Sequence, residues 1–156
     1  MFDNYGNHPA QAAPPPAPTR IVRFDKAYLL SKSGILKFIE IVCNLVGFLC
    51  IKISPQFFSA IFYNLLYWVG NVISTFLLLM YLFHIVEKFD QLPWLKFEFF
   101  YCTVITLTYI GSSIFATTIG ESIGYGVGFF GLCAIIAYGL DGYLKYKAWK
   151  RGLPPQ

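Results

Sequence analysis

Four uninterrupted apolar runs constrain this chain more than any other feature. They extend from about Gly34 to Ile53, from Ser54 to about Val86, from about Leu95 to Thr117, and from about Ser122 to Tyr143. A helix rising about 1.5 Å per residue needs about 20 apolar residues to cross a hydrocarbon core of about 30 Å. Helices on the surface of a soluble domain would show one apolar stripe and one charged face, and these runs have no charged face. Strands of a membrane barrel would be about 10 residues long and would alternate in polarity. These runs are twice that length and continuous. The sequence therefore predicts an all-α, integral membrane four-helix transmembrane bundle over residues 34–144.

Composition agrees. The chain is 56% hydrophobic and 13% charged, against about 25% charged in soluble domains. Its 156 residues suffice for one domain, and its 16 Phe and 11 Tyr suit lipid contact and the water interface. Residues 1–19 have no basic start and no continuous apolar core, so they do not read as a cleaved signal peptide. Their Pro and Ala content predicts a disordered cytoplasmic tail, locally polyproline II. Residues 20–33 form a basic, partly apolar juxtamembrane segment, and 145–156 a basic cytoplasmic tail. Ser54-Pro55 supplies an N-cap and a first-turn proline for the second helix. At about 30 residues that run would be about 45 Å long as helix. It either tilts or extends beyond the membrane, and its polar end (His84, Glu87, Lys88) favours extension. Asp90–Trp94 and Thr118–Glu121 mark the remaining breaks.

Basic residues set the orientation. Arg20, Arg23, Lys26, Lys32 and Lys37 precede or open the first helix, Lys88 and Lys96 flank the middle connection, and Lys145, Lys147, Lys150 and Arg151 close the chain. Lys52 stands alone on the other side, so eleven of twelve share one compartment. The positive-inside rule makes that compartment the cytoplasm and both termini cytoplasmic. The net charge of +4 thus tracks topology and does not call for nucleic acid.

Several polar and small residues lie within the runs. Glu40 is the sharpest anomaly, because a carboxylate one to two turns into a membrane helix needs a partner. Lys37, three residues earlier, can pair with it and snorkel toward the interface; contact with a partner protein is the other reading. Asn64 and Asn71 are seven apart on one helix face, and Asn44 lies in the first run. Interhelical hydrogen bonds worth about 0.6–2 kcal/mol explain such amides, and a polar path for an ion or substrate is the alternative. Asp141 has Lys145 four residues on as an expected partner. No second acidic residue reads as deep enough for a proton relay. Gly120, Gly124 and Gly128 make two overlapping GxxxG steps, which suit packing within the bundle, a homo-oligomer, or lateral binding of another membrane protein; with Glu40, Asn64 and Asn71 they are the candidate helix-packing and lateral partner face. Cys43, Cys50, Cys102 and Cys133 show no CxxC spacing and read as small apolar residues, and His8 and His84 add no ligand cluster. With no GxGxxG, P-loop, HExxH or GxSxG motif, no residue is assigned to catalysis, a cofactor or a metal, and an enzyme is not expected.

Short linear patterns remain. Pro15, Pro18 and Arg20 fit the PxxPxR pattern read by SH3 domains, and a flexible spacer is the alternative. Asp25–Leu30 matches an acidic dileucine sorting pattern, close to the bilayer. Leu140–Lys145 fits a proposed cholesterol-contact pattern.

The stretch Tyr28–Glu40, with Ser31, Gly34 and an acidic residue one turn into the helix, resembles the opening of MARVEL domains. Ala137–Lys145, an acidic residue followed by a basic tail, is similar to that family's closing helix. The resemblance covers roughly residues 28–150 and is nearest to the chemokine-like-factor-like MARVEL proteins, plasmolipin and MAL. Claudins fit less well, because the first outside connection is tiny. The resemblance implies a non-enzymatic tetraspan of plasma membrane, endosomal or secretory vesicles. It would act in vesicle trafficking, membrane apposition, or lateral association with cholesterol-rich membrane and client membrane proteins. A small channel or transporter subunit, or a structural junction protein, are the alternatives. Continuous water access to Asn64, Asn71 and Glu40 would favour a channel, and concentration at cell contacts a junction protein.

Overall fold

The computed structural model describes residues 24–52, 57–89, 91–117 and 122–155. The expected Pro-rich tail with Pro15, Pro18 and Arg20, the Ser54-Pro55 break, and the 118–121 turn with Gly120 lie outside these residues. Six helices are described: α1 (Lys26–Leu30), α2 (Lys32–Lys52), α3 (Phe57–Leu82), α4 (Ile85–Lys88), α5 (Trp94–Thr117) and α6 (Ser122–Lys150). Four of them contain stretches long and apolar enough to cross a membrane: Lys32–Lys52, Ile61–Leu82, Trp94–Ile114 and Tyr125–Lys150.

The long helices form an up-down-up-down bundle. α2 packs between α3 and α6, and α5 lies along α6. Tyrosine hydroxyls close the ring between α3 and α5: Tyr63 donates to the Ser112 carbonyl at 2.6 Å and Tyr101 to the Gly70 carbonyl at 3.2 Å. The faces are inverted relative to a soluble bundle. On α2 the interior face is Gly34, Lys37, Glu40, Cys43, Asn44, Gly47 and Ile51. The outward face carries Ile35, Phe38, Ile39, Val42, Leu45 and Leu49. Lipid accepts that apolar exterior, and polar groups turn inward because only other helices can satisfy them there.

The first turns explain how α2 is set. Asp25 caps α1, its Oδ1 accepting the Ala27 and Tyr28 amides at 2.8 and 3.3 Å, while its own amide donates to the Leu82 carbonyl at 2.9 Å. Desolvation works against the Asp25 charge, yet those amides and the His84 ring outweigh it and hold the carboxyl below its usual range. Ser31 then caps α2, its hydroxyl accepting the Gly34 amide at 3.1 Å. A Cβ on Gly34 would strike the Tyr28 carbonyl, so only glycine permits this α1–α2 corner.

Two boundaries differ from expectation. The second run was expected to continue to Val86, but α3 ends at Leu82 and His84 takes the left-handed conformation (φ 54°) before α4. That turn places the His84 ring between Asp25 (3.2 Å) and Glu87 (2.7 Å). The fourth helix was expected to close near Tyr143, with a tail from 145, but α6 reaches Lys150. It stops in a Schellman motif: Gly152 is left-handed (φ 64°), and the Leu153 and Gly152 amides donate to the Ala148 and Trp149 carbonyls.

Candidate functional site

The polar residues facing inward form layers down the bundle, starting at the end where α2 and α5 begin and α3 and α6 finish. In the outermost layer Lys145 of α6 reaches Glu98 of α5 at 2.9 Å, with its ammonium 4.3 Å from the Tyr81 ring centroid. Tyr28 stacks on Tyr81 at 5.3 Å, which docks α1 against α3. One turn deeper, Lys37 Nζ sits 2.7 Å from Asp141 Oδ2 and 3.2 Å from Glu40 Oε2. Ser33 and the Cys102 thiol also donate to Asp141, at 3.4 and 3.6 Å. Lys37, Glu40, Glu98 and Asp141 are 0% exposed and Lys145 2%.

Below the ions lies a hydroxyl and amide network. The Ser74 hydroxyl is 2.8 Å from Glu40 Oε2, 2.9 Å from the Tyr138 hydroxyl and 3.3 Å from that of Tyr101. Asn44 donates to Tyr138 at 2.8 Å and accepts from Tyr109 at 2.6 Å. Tyr138 also reaches the Gly70 carbonyl at 3.3 Å. A Cβ on Gly70 would come within 3.1 Å of both Asn44 and Tyr138, so the small residue lets these groups meet α3 closely. Deeper still, Tyr67 packs on Gly47 and Tyr109, and donates to the Val127 carbonyl at 3.2 Å. All four long helices are thus joined by side-chain polar bonds, which hold helices together where burial of apolar surface adds nothing against lipid.

The expected site residues separate in space. Glu40 belongs to the interior and not to a lateral face, and Lys37 does not snorkel: its head is fully enclosed. Asp141 was expected to pair with Lys145 on its own helix. Its ion pair is instead with Lys37 of α2, and Lys145 is taken by Glu98. Asn64 and Asn71 are half-buried on α3, apart from the Glu40 network, with enclosed Oδ1 atoms that accept no hydrogen bond. A Cβ on Gly128 would meet nothing within 4 Å, so that glycine opens outward; Gly124 lies in α6, and Gly120 is outside the described residues. Sequence reasoning missed Glu98 and the roles of Tyr101, Tyr109 and Tyr138. A signal existed. Glu98, Tyr101, Cys102, Ile105 and Tyr109 recur at three- and four-residue steps on α5, as do Tyr138, Asp141 and Lys145 on α6.

Four membrane-crossing helices wrapped around a polar interior define an integral, multi-pass tetraspan membrane protein. Over 117 residues the chain is 30% identical to Proteolipid protein 2 of Mus musculus, an alignment covering 74% of each chain. It belongs to the family of that protein. No family model matches the chain, and no solved structure does.

Proposed function

We propose that this protein is a non-enzymatic, MARVEL-like tetraspan with both termini in the cytoplasm. It acts in vesicle trafficking, membrane apposition or the lateral organisation of client membrane proteins and cholesterol-rich membrane, at the plasma membrane or on endosomal or secretory vesicles. The observation that carries this reading is the division of surfaces. The interior is occupied by mutually bonded side chains around Glu40, while the outward faces of all four long helices are apolar. What such a bundle offers other molecules is its lateral surface and its cytoplasmic ends. Kinship with Proteolipid protein 2 supports the tetraspan class. Partners on this reading are the bilayer and its cholesterol, other membrane proteins or a second copy, and an SH3 domain at the N-terminal tail. Against a channel or transporter subunit, Glu40 is fully enclosed, and among the described residues the Oδ1 atoms of Asn64 and Asn71 take no part in its hydrogen-bond network.

The outward glycine notch supplies the test. At Gly128 an added Cβ would meet no other described side chain or neighbouring helix within 4 Å, so Gly128→Leu is expected to leave folding and insertion intact. Co-purification of the membrane proteins labelled by proximity to the wild-type chain should fall. Unchanged partners would remove α6 from the proposed docking face.

A further inference from the structure

The buried ionisable groups do not balance. Among the described residues, Lys37 and Lys145 face Glu40, Glu98 and Asp141, all at most 2% exposed. Two cations against three acids leave one uncompensated negative charge inside a membrane bundle, where an unpaired ion is strongly disfavoured. Glu98 and Lys145 form their own pair at the outer end. The excess therefore falls on Lys37 and its two carboxylates. Asp141 has the shorter ion pair, 2.7 against 3.2 Å, and two further donors in Ser33 and Cys102. Of these two, Glu40 is the poorer anion: its Oε1 is enclosed and carries no hydrogen bond, and although both Glu98 oxygens also lack hydrogen bonds, Glu98 has the Lys145 ammonium at 2.9 Å to itself among the described acids.

Among the described residues Lys37 is the cation that reaches Glu40, and Asp141 claims it at the shorter distance, so Glu40 calls for a further positive charge. The donor atoms of Glu40, Cys102 and Asp141 lie within 4.8 Å of one another, a spacing a metal could use. However, the Lys37 ammonium is already within bonding distance of both carboxylates, and a second full cation there would be repelled by it. A proton needs no room. We propose that this cluster is an intramembrane proton site, in which Glu40 holds one exchangeable proton at neutral pH and Asp141 is the anion paired with Lys37.

The surroundings suit both states of Glu40. The groups facing it are Lys37 on its own helix, Ser74 on α3, Tyr101 and Cys102 on α5, and Tyr138 and Asp141 on α6, with the Glu98–Lys145 pair one layer outward. When ionised, Glu40 accepts from Ser74. When protonated, it donates to the Ser74 oxygen, whose hydrogen turns to Tyr138, and the Tyr138 hydrogen ends on the Gly70 carbonyl. Rotation of two hydroxyls serves both states, with no helix movement.

Infrared spectroscopy of the full-length protein in phosphatidylcholine nanodiscs tests this. At pH 7 the wild type should show a protonated-carboxyl C=O band, which Glu40→Gln removes and Glu98→Gln leaves in place. In thermal unfolding, Glu40→Gln, the neutral isostere, should keep the wild-type Tm, whereas Asp141→Asn should lower it. The proposal is overturned by the absence of that band in the wild type, by its survival in Glu40→Gln, or by a Glu40→Gln protein that unfolds as early as Asp141→Asn or fails to fold. A divalent metal that co-purifies stoichiometrically and is lost in Glu40→Gln would overturn it equally.

Discussion

Lys37 shows what one residue does in this environment. Its ammonium joins α2 to α6 through Asp141 and satisfies part of Glu40, fully buried in the bundle. A buried pair that loses one partner costs about 3–5 kcal/mol, because the remaining charge stays desolvated. Lys37→Met should therefore lower stability by about 3 kcal/mol or more, read as a reduced unfolding midpoint of the detergent-solubilised protein; a midpoint equal to wild type would mean that Asp141 finds another partner. Half of this cluster was legible beforehand. Lys37 and Glu40 are three apart on one helix, and helical spacing alone brings them together. The same local rule misassigned Asp141 to Lys145, since spacing along one helix says nothing about what the neighbouring helix presents. Glu98 stayed hidden because a carboxylate one turn from a helix end reads as an interface residue. The tyrosines stayed hidden because tyrosine in a membrane sequence reads as an interfacial anchor, although Tyr67, Tyr109 and Tyr138 are at most 1% exposed.

At the scale of the helix, glycine position decides how closely neighbours approach. On α2, a Cβ at Gly47 would strike the Tyr67 ring, so α2 and α3 touch through a glycine–aromatic contact. On α6, a Cβ at Gly139 would meet nothing within 4 Å. Gly47→Ala should therefore destabilise by about 1–3 kcal/mol, the usual effect of overpacking a filled interior, while Gly139→Ala should be neutral or mildly stabilising through helix propensity. Parallel unfolding measurements on the two variants check this, and equal losses would contradict the α2–α3 contact. Helix existence was the most legible property of all, because an uninterrupted apolar run of this length admits few other structures. Helix ends were less so. His84 ends α3 by a left-handed turn that bridges Asp25 and Glu87, a long-range event. α6 runs through its basic residues to Lys150 because Lys145 is enclosed by Glu98 and Tyr81 and is part of the bundle.

For the whole molecule, the layers and the charge distribution point the same way. The end that gathers Glu98, Lys145 and the Lys37 cluster is also the end where α2 starts and α6 finishes, beside Lys32, Lys96, Lys147, Lys150 and Arg151. Polar residues buried nearest that end sit where desolvation is least severe, and the basic residues beyond them favour the anionic cytoplasmic leaflet. An even number of crossings then returns both termini to one side. The most direct measurement places an epitope tag at each terminus of the full-length protein in cells and scores antibody access before and after permeabilising the plasma membrane. Both tags should be reached only after permeabilisation, with a surface control reached in either state. Access to either tag in intact cells would contradict the four-crossing bundle with cytoplasmic ends.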